Sequence, residues 1–399
     1  MGKNRKILFL SLTDPRSCTY GGEQRTHHLW MSLRRVASVD VIIPVSHKFL
    51  ERSSEVDGIR WMCFENRYSF IWVLQRLFSK MFPAIVLPWF MNKANYKRIC
   101  AQAYDFVVAF NTRTAGYFAP WHIAKTLLDV DDYPPEMYAT THSKRSDSWF
   151  IWGMTHVVRA WGDWASSRCA LCWVSNTQQM SFVKCAKVLP LHNIPIHPGM
   201  NYKFDAKPHI RLITIGYMAH EPNWRGVDKF IHESWRRIQK QFPEMEYHIV
   251  GKGLPTVMAQ KYKLIPGVVV RGFVQDIDTE YEQCLAVVAP IYSGGGTCIK
   301  VAECLQHERP LFASEFALRG VPVTWLDGGG ITIIDDDIVD AVSNLVQLMP
   351  SRPSCHYLSE GECSFESFSG EVEAGVEYVL PSSRRENRRK KLEEGCCEI

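Results

Sequence analysis

Ser293-Gly294-Gly295-Gly296-Thr297-Cys298-Ile299-Lys300-Val301-Ala302-Glu303 is the stretch on which the reading of this chain turns. The apolar run 285–290 before it reads as a buried strand, and 298–305 reads as a helix. Three consecutive glycines between them permit unusual backbone angles and a close approach of the main chain to a ligand. The N–H groups at the helix start then lack helical partners and face outward, an arrangement that suits a phosphate. Thr297 can cap the helix or bond an oxygen. Lys300, in the first turn, sets a positive charge beside the same anion, and Glu303, one turn later, offers a carboxylate to hydroxyl groups. Read as structure alone, the stretch is a strand–turn–helix with an N-cap.

Outward from this unit, short apolar strands alternate with amphipathic helices, the pattern of a parallel α/β architecture. In the first half, strands are expected at 6–10, 39–44, 106–110, 126–129 and 171–175, with a helix over 23–35. The stretch 189–208 holds Pro190, Pro195, Pro198 and Pro208 and little periodicity, and reads as an interdomain linker. The pattern restarts with strands at 210–216, 247–250, 268–270, 286–289 and 311–313. A helix over 227–239 places Val227, Phe230, Ile231, Trp235 and Ile238 on one face. The expected fold is therefore two Rossmann-like α/β domains facing across a cleft, the natural ligand site of open parallel sheets. The first spans 1–200 and the second 201–363; a helix at 364–380 packs back on the first, and 381–399 forms a disordered basic tail.

A chain of 399 residues, 46% hydrophobic and 22% charged, has the balance of a two-domain globular protein. A net charge of +4 does not argue for nucleic acid. Thirteen cysteines, many in apolar runs, read as buried thiols of a reducing compartment. Cys169-Ala-Leu-Cys172 has redox or half-zinc spacing, but no second pair completes a zinc site. No apolar run approaches the ~20 residues of a membrane span, so a cytoplasmic location is expected. The stretch 70–98, aromatic with Arg76, Lys80, Lys93 and Lys97, reads equally as core or as a membrane-touching surface.

The donor-block residues resemble those of the retaining family-4 glycosyltransferases, which have the two-Rossmann-domain GT-B fold. The likeness lies in Gly-Gly-Gly-Thr-x-Ile-Lys-x-x-Glu-x-Leu, then Arg309-Pro310-Leu311 and Ala317-Leu318-Arg319-Gly320-Val321. Ile215-Gly216-Tyr217-Met218 with Pro222-Asn223, and Gly272-Phe273-Val274-Gln275-Asp276, extend it. The resemblance implies transfer of a sugar from a UDP- or GDP-sugar to a glycan or lipid-linked saccharide, with retention and without metal or cofactor. It implies that Gly216, Asn223, Gly294, Gly295, Gly296, Thr297 and Lys300 hold the donor. It implies that Glu303 takes its ribose and that Gly272, Phe273 and Val274 lie against its base. It implies peripheral contact with a membrane, and no nucleic-acid partner.

Three departures from the family pattern stand out. The first glutamate of its paired motif falls at Gly295, as in a glycine-rich subgroup; Cys298 stands where many of that subgroup carry Arg; and His220 and Asn223 replace the usual Arg and Lys after the second domain's first strand. In the first half, Gly21-Gly22 follows the first strand, where relatives place the donor phosphates and the acceptor. Arg25 either faces the cleft or is solvated. Asp129-Val130-Asp131-Asp132 admits three readings: a divalent-ion site, helix-capping aspartates, or an acceptor contact in which Asp131 or Asp132 helps remove a proton. The alternatives to transfer are a nucleotide-sugar epimerase or phosphorylase of the same fold and a non-catalytic nucleotide-sugar-binding subunit.

Overall fold

A computed structural model of the chain describes residues 5–44, 58–62, 104–118, 125–131, 133, 149–196, 210–327, 329–334, 337–348 and 363–379. The first sheet is built from β1 (Lys6–Leu10), β2 (Ser38–Pro44), β3 (Ile59–Met62), β4 (Phe106–Phe110), β5 (Thr126–Asp129), β6 (Leu171–Val174) and β7 (Val188–Pro190). Its order is β3-β2-β1-β4-β5-β6-β7, and every described pairing is parallel. Helices α1 (Gly21–Val36), α2 (Asn111–Phe118) and α3 (Trp149–Arg168) accompany it. Ile7, Leu8, Phe9 and Leu10 are all buried, as the continuous apolar pattern of a strand covered on both faces requires.

The second sheet has the order β10-β9-β8-β11-β12-β13, again parallel. Its strands are β8 (Arg211–Ile215), β9 (Glu246–Val250), β10 (Val268–Gly272), β11 (Ala286–Ala289), β12 (Leu311–Ala313) and β13 (Ile331–Ile333). The connecting helices are α4 (Glu221–Phe230), α5 (Arg236–Gln241), α6 (Thr256–Lys263), α7 (Ile277–Gln283), α8 (Ile299–Gln306), α9 (Val323–Leu326) and α10 (Ile338–Leu348). In each sheet the strand order reverses beside the first strand: between β1 and β4 in one, between β8 and β11 in the other. Ligands of such sheets bind at these reversals, outside the carboxyl ends of the strands.

The last described helix, α11 (Phe365–Val379), returns from the second sheet to pack along α1. Arg35 makes two hydrogen bonds of 2.8 Å to Glu366, and the His28 ring lies 5.9 Å from Phe365 and 5.7 Å from Phe368. One apolar cluster runs from Ile7, Phe9 and Trp173 through Phe368, Val372 and Val376 to Val287, Val301 and Leu305. Both sheets thus share core through α11.

Three local differences from the sequence reading have physical causes. The helix expected over 227–239 runs from Glu221 to Gln241, with a π turn at Ile231–Trp235 between α4 and α5. The turn keeps Phe230, Ile231, Trp235 and Ile238 all buried on one face. The expected linker loses its first residues to β7, where Leu189 and Pro190 pair with Trp173 and Val174; β7 is the sheet's edge, where proline is tolerated. And α1 begins at Gly21 rather than Glu23. The rest of the linker beyond residue 196, the 70–98 stretch and the basic tail lie outside the described residues.

Gly226 sets how closely α4 approaches β11: a Cβ built there lies 1.6 Å from the Pro290 carbonyl oxygen. Gly226→Ala must push the helix off the sheet and should cost about 3 kcal/mol. Gly153→Ala, inside α3 with nothing within 4 Å of its Cβ position, should instead stabilise by up to about 1 kcal/mol. Urea unfolding of the two variants checks this; equal midpoints would refute the packing role.

Candidate active site

The glycine-rich loop leaves β11 at the second sheet's strand-order reversal and enters α8 there. Cys298 is the N-cap and makes no side-chain capping bond. Thr297, read as a possible cap, instead donates its hydroxyl to the Ser175 carbonyl oxygen of the first domain at 2.8 Å. Gly294 and Gly296 have φ of +130° and +59°, values that favour glycine.

Lys300 points from the first turn of α8 back to the end of β8. A Cβ on Gly216 would sit 3.3 Å from Lys300 Cε and 3.5 Å from Nζ, so glycine there leaves room for the ammonium. Lys300 Nζ donates to Asn223 Oδ1 at 2.8 Å, and Asn223 Nδ2 donates to the Tyr217 carbonyl at 2.8 Å. Lys300 is only 7% exposed, and no carboxylate among the described residues pairs with it. A buried charge with only a neutral partner is costly and calls for a counter-ion. Burial, and after it the Lys300 charge, holds the His220 imidazole neutral below its ordinary range.

Arg319, part of the Ala317–Val321 motif, is a site residue that the sequence pattern does not single out. Its Nη2 donates to the Gly295 carbonyl, its Nη1 to the Phe316 carbonyl at 2.9 Å, and its guanidinium lies 3.7 Å over the Phe316 ring. It holds the glycine-rich loop from behind. A signal was present in the sequence: an arginine six residues after the end of a strand that flanks the loop's own strand.

The first domain closes onto this unit. A Cβ on Gly21 would meet Ile299 Cγ2 at 3.1 Å, so the start of α1 abuts the start of α8. Tyr20 and Tyr217 stack across the cleft with ring centroids 5.7 Å apart. Gln24 Nε2 reaches Glu303 Oε1 at 3.5 Å, and Tyr281 donates to Glu303 Oε2 at 3.0 Å. Burial first, then the Glu303 charge, raises the Tyr281 phenol far enough that it remains a donor. Gly272 has φ +71°, Phe273 is 65% exposed and Val274 packs against the core beside them.

Arg25 neither faces the cleft nor meets solvent. It is 2% exposed and binds both oxygens of the fully buried Asp129, at 2.8 and 2.6 Å. Its Nη1 donates to the Leu191 carbonyl and to Asn193 Oδ1, both at 2.7 Å. Burial opposes the guanidinium charge, but Asp129 and Asp131 outweigh it and raise its pKa. Asp131 sits at φ +45° with Oδ1 3.5 Å from Arg25 Nε, and its carbonyl accepts from Ser175 Oγ at 2.7 Å. Ser175 thus links the Asp131 turn to Thr297. Asp132 lies outside the described residues. Cys169 and Cys172 are buried free thiols, and no group of His, Cys, Asp or Glu among the described residues is placed to hold a metal ion. No described helix is long and apolar enough to cross a membrane.

Residues 209–349 match the family described as glycosyl transferases group 1. This protein carries a glycosyltransferase domain. The match begins just before β8 and ends after α10, so it contains the glycine-rich loop, Lys300, Glu303 and Arg319. The whole chain is similar in structure to sucrose-phosphate synthase from Thermosynechococcus elongatus, with TM-score 0.59, 13% identity and 98% and 100% of the two chains covered. It is similar to HepE of Anabaena, solved with UDP-glucose, at TM-score 0.59, 12% identity and 93% and 99% coverage. It is also similar to WaaG, a glycosyltransferase involved in lipopolysaccharide biosynthesis, at TM-score 0.55, 11% identity and 92% and 94% coverage. At these identities the likeness is one of fold, two Rossmann-like domains of the GT-B kind. No curated protein matches the sequence.

Arg25→Met leaves the Asp129 carboxylate buried without its counter-charge and should cost about 3–5 kcal/mol. Arg25→Met combined with Asp129→Leu should recover much of that loss. Urea denaturation of the three variants and wild type decides it, and a double variant no better than Arg25→Met would refute the account.

Proposed function

We propose that the protein moves a sugar from a nucleotide-sugar donor to a saccharide or lipid-linked saccharide acceptor, with retention of configuration and without a metal ion. The observation that carries this reading is Lys300, a buried cation at the strand-order reversal whose described partner is the neutral Asn223. A diphosphate is the anion that fits it. The starts of α1 and α8 abut there and add their positive ends, which favour the same charge. The structure of HepE with UDP-glucose supports a UDP-sugar as donor, with a GDP-sugar as the other candidate.

As the bond from the sugar's anomeric carbon to the diphosphate breaks, negative charge grows on the departing oxygen. Lys300 and the backbone N–H groups of 294–297 and of the start of α8 stabilise that charge, commonly the largest contribution to such catalysis. The acceptor hydroxyl forms the new bond from the face the diphosphate leaves, which preserves the configuration. Asp131 or Asp132 meets the acceptor hydroxyl in this reading, and its proton passes to that carboxylate. Glu303 holds the donor ribose, while Gly272, Phe273 and Val274 flank its base. Gly21, Gly22, Gly216, Gly294, Gly295, Gly296 and Thr297 let the backbone approach. A lipid-linked acceptor would bring the protein to the cytoplasmic face of a membrane as a peripheral enzyme.

The test is a panel of UDP- and GDP-sugars with the purified chain, scoring binding, donor hydrolysis and transfer in a cell-extract acceptor mixture. Turnover by the wild type and a loss of about 10²-fold or more in Lys300→Ala are expected. Arg319→Ala should lower kcat about tenfold by loosening the loop. Full activity in EDTA is expected as well. Unchanged donor affinity in Lys300→Ala would remove the diphosphate assignment, and epimerised donor in place of a transfer product would favour an epimerase.

A further inference from the structure

Gln24 lies one turn into α1, on the side of the cleft opposite the glycosyltransferase domain, and is 8% exposed. Its carboxamide nitrogen points at Glu303 Oε1, a stretched contact of 3.5 Å. The chemistry dictates that orientation, because an ionised carboxylate only accepts hydrogen bonds and the amide must turn its N–H₂ toward it. The cost falls on the other end of the amide: Gln24 Oε1 is buried and has no hydrogen-bond partner among the described residues. Buried carbonyl oxygens are rarely left so, and a group in that state inside a cleft marks a place for a donor from outside.

The neighbours narrow what that donor is. Glu303 accepts from Tyr281 through Oε2 and from Gln24 through Oε1, at a length that a better donor would displace. Glu303 and Gln24 Oε1 are thus two acceptors from opposite domains, joined through the Gln24 amide whose nitrogen reaches the carboxylate. A vicinal diol offers two O–H donors from adjacent carbons, one for each acceptor.

We infer that Gln24 reads a ribose hydroxyl of the donor nucleoside together with Glu303, so that the first domain takes part in choosing the donor. The inference rests on the nucleotide-sugar reading above. It differs from a donor held by the second domain alone, and it makes ribose recognition a property of the closed cleft.

Calorimetric titration of the full chain with UDP and GDP, and with the 2′-deoxy and 3′-deoxy forms of whichever binds, tests it. Wild type should bind the ribonucleotide about tenfold more tightly than at least one deoxy form, the worth of one such hydrogen bond. Gln24→Met keeps length and shape but loses the oxygen. It should weaken the ribonucleotide about tenfold, leave that deoxy form unchanged and bring their ratio toward one. Gln24→Glu keeps an acceptor oxygen while placing a second carboxylate beside Glu303. It should bind everything more weakly yet preserve the ratio, and it keeps the test alive if Gln24→Met does not fold. Equal weakening of ribo- and deoxynucleotides in Gln24→Met, or a ratio lost equally in both variants, overturns the assignment of Gln24 alone. Failure of wild type to bind either ribonucleotide overturns the donor-site reading and this inference with it.

Discussion

Lys300 carries a full positive charge into a site that is 7% exposed, where the described partner is the amide oxygen of Asn223. Burial of this kind is unfavourable unless something else on the protein or a ligand meets the charge. The surrounding features follow from placing and serving that ammonium. Gly216 has no Cβ, so the lysine stem can lie along the end of β8. Asn223 is itself fixed through Tyr217, so its oxygen is held toward the ammonium rather than toward solvent. Arg319 braces the loop that delivers α8, and hence Lys300, to the strand-order reversal. Remove the lysine, and the glycines and the brace would shape an anion site without its charge.

The cleft depends on a second constraint, the tie between the two halves. Residues from both sheets share one apolar cluster, and α11 crosses back to lie on α1 after the second domain is complete. Chain order therefore makes the second domain an insertion between the first domain and its own last helix. Among the described residues, the contacts across the cleft include the hydrogen bonds of Thr297 with Ser175 and of Gln24 with Glu303, and the stacked rings of Tyr20 and Tyr217. Behind them, Arg25 and Asp129 anchor α1 to the end of β5 and to the chain leaving β7. The start of α1, which faces α8, is therefore set by a buried ion pair some four residues further along the helix.

Much of this was legible in the sequence, and the reason is periodicity. Strands buried on both faces read as short continuous apolar runs, and β1, β4, β5, β11 and β12 lie where those runs placed them. The glycine-rich loop was legible because three adjacent glycines before an early lysine have few other uses. What was not legible depends on distant partners. Pro190 reads as a breaker, yet at the edge of the described sheet its missing N–H meets no described strand and it ends β7. Arg25 reads as a surface or cleft residue because nothing near it in sequence shows that Asp129, 104 residues away, neutralises it. Gln24 and Arg319 gain their roles only when residues 279 and 24 positions away fold against them.

Gly295 is where the family resemblance and the structure meet most directly. A glutamate at that position would project a carboxylate from a loop whose backbone carbonyl is already engaged by Arg319. With glycine, the loop presents main-chain groups alone on that side, and the guanidinium of Arg319 is spent on the carbonyl and on the Phe316 ring. The positive charge of the arginine therefore reaches the loop through the polarised peptide at Gly295, strengthening the N–H that follows it as a donor. In the proposed reaction this favours the departing diphosphate over any contact with the sugar's own hydroxyls. In that reading, discrimination between sugars must come from side chains elsewhere in the cleft rather than from position 295.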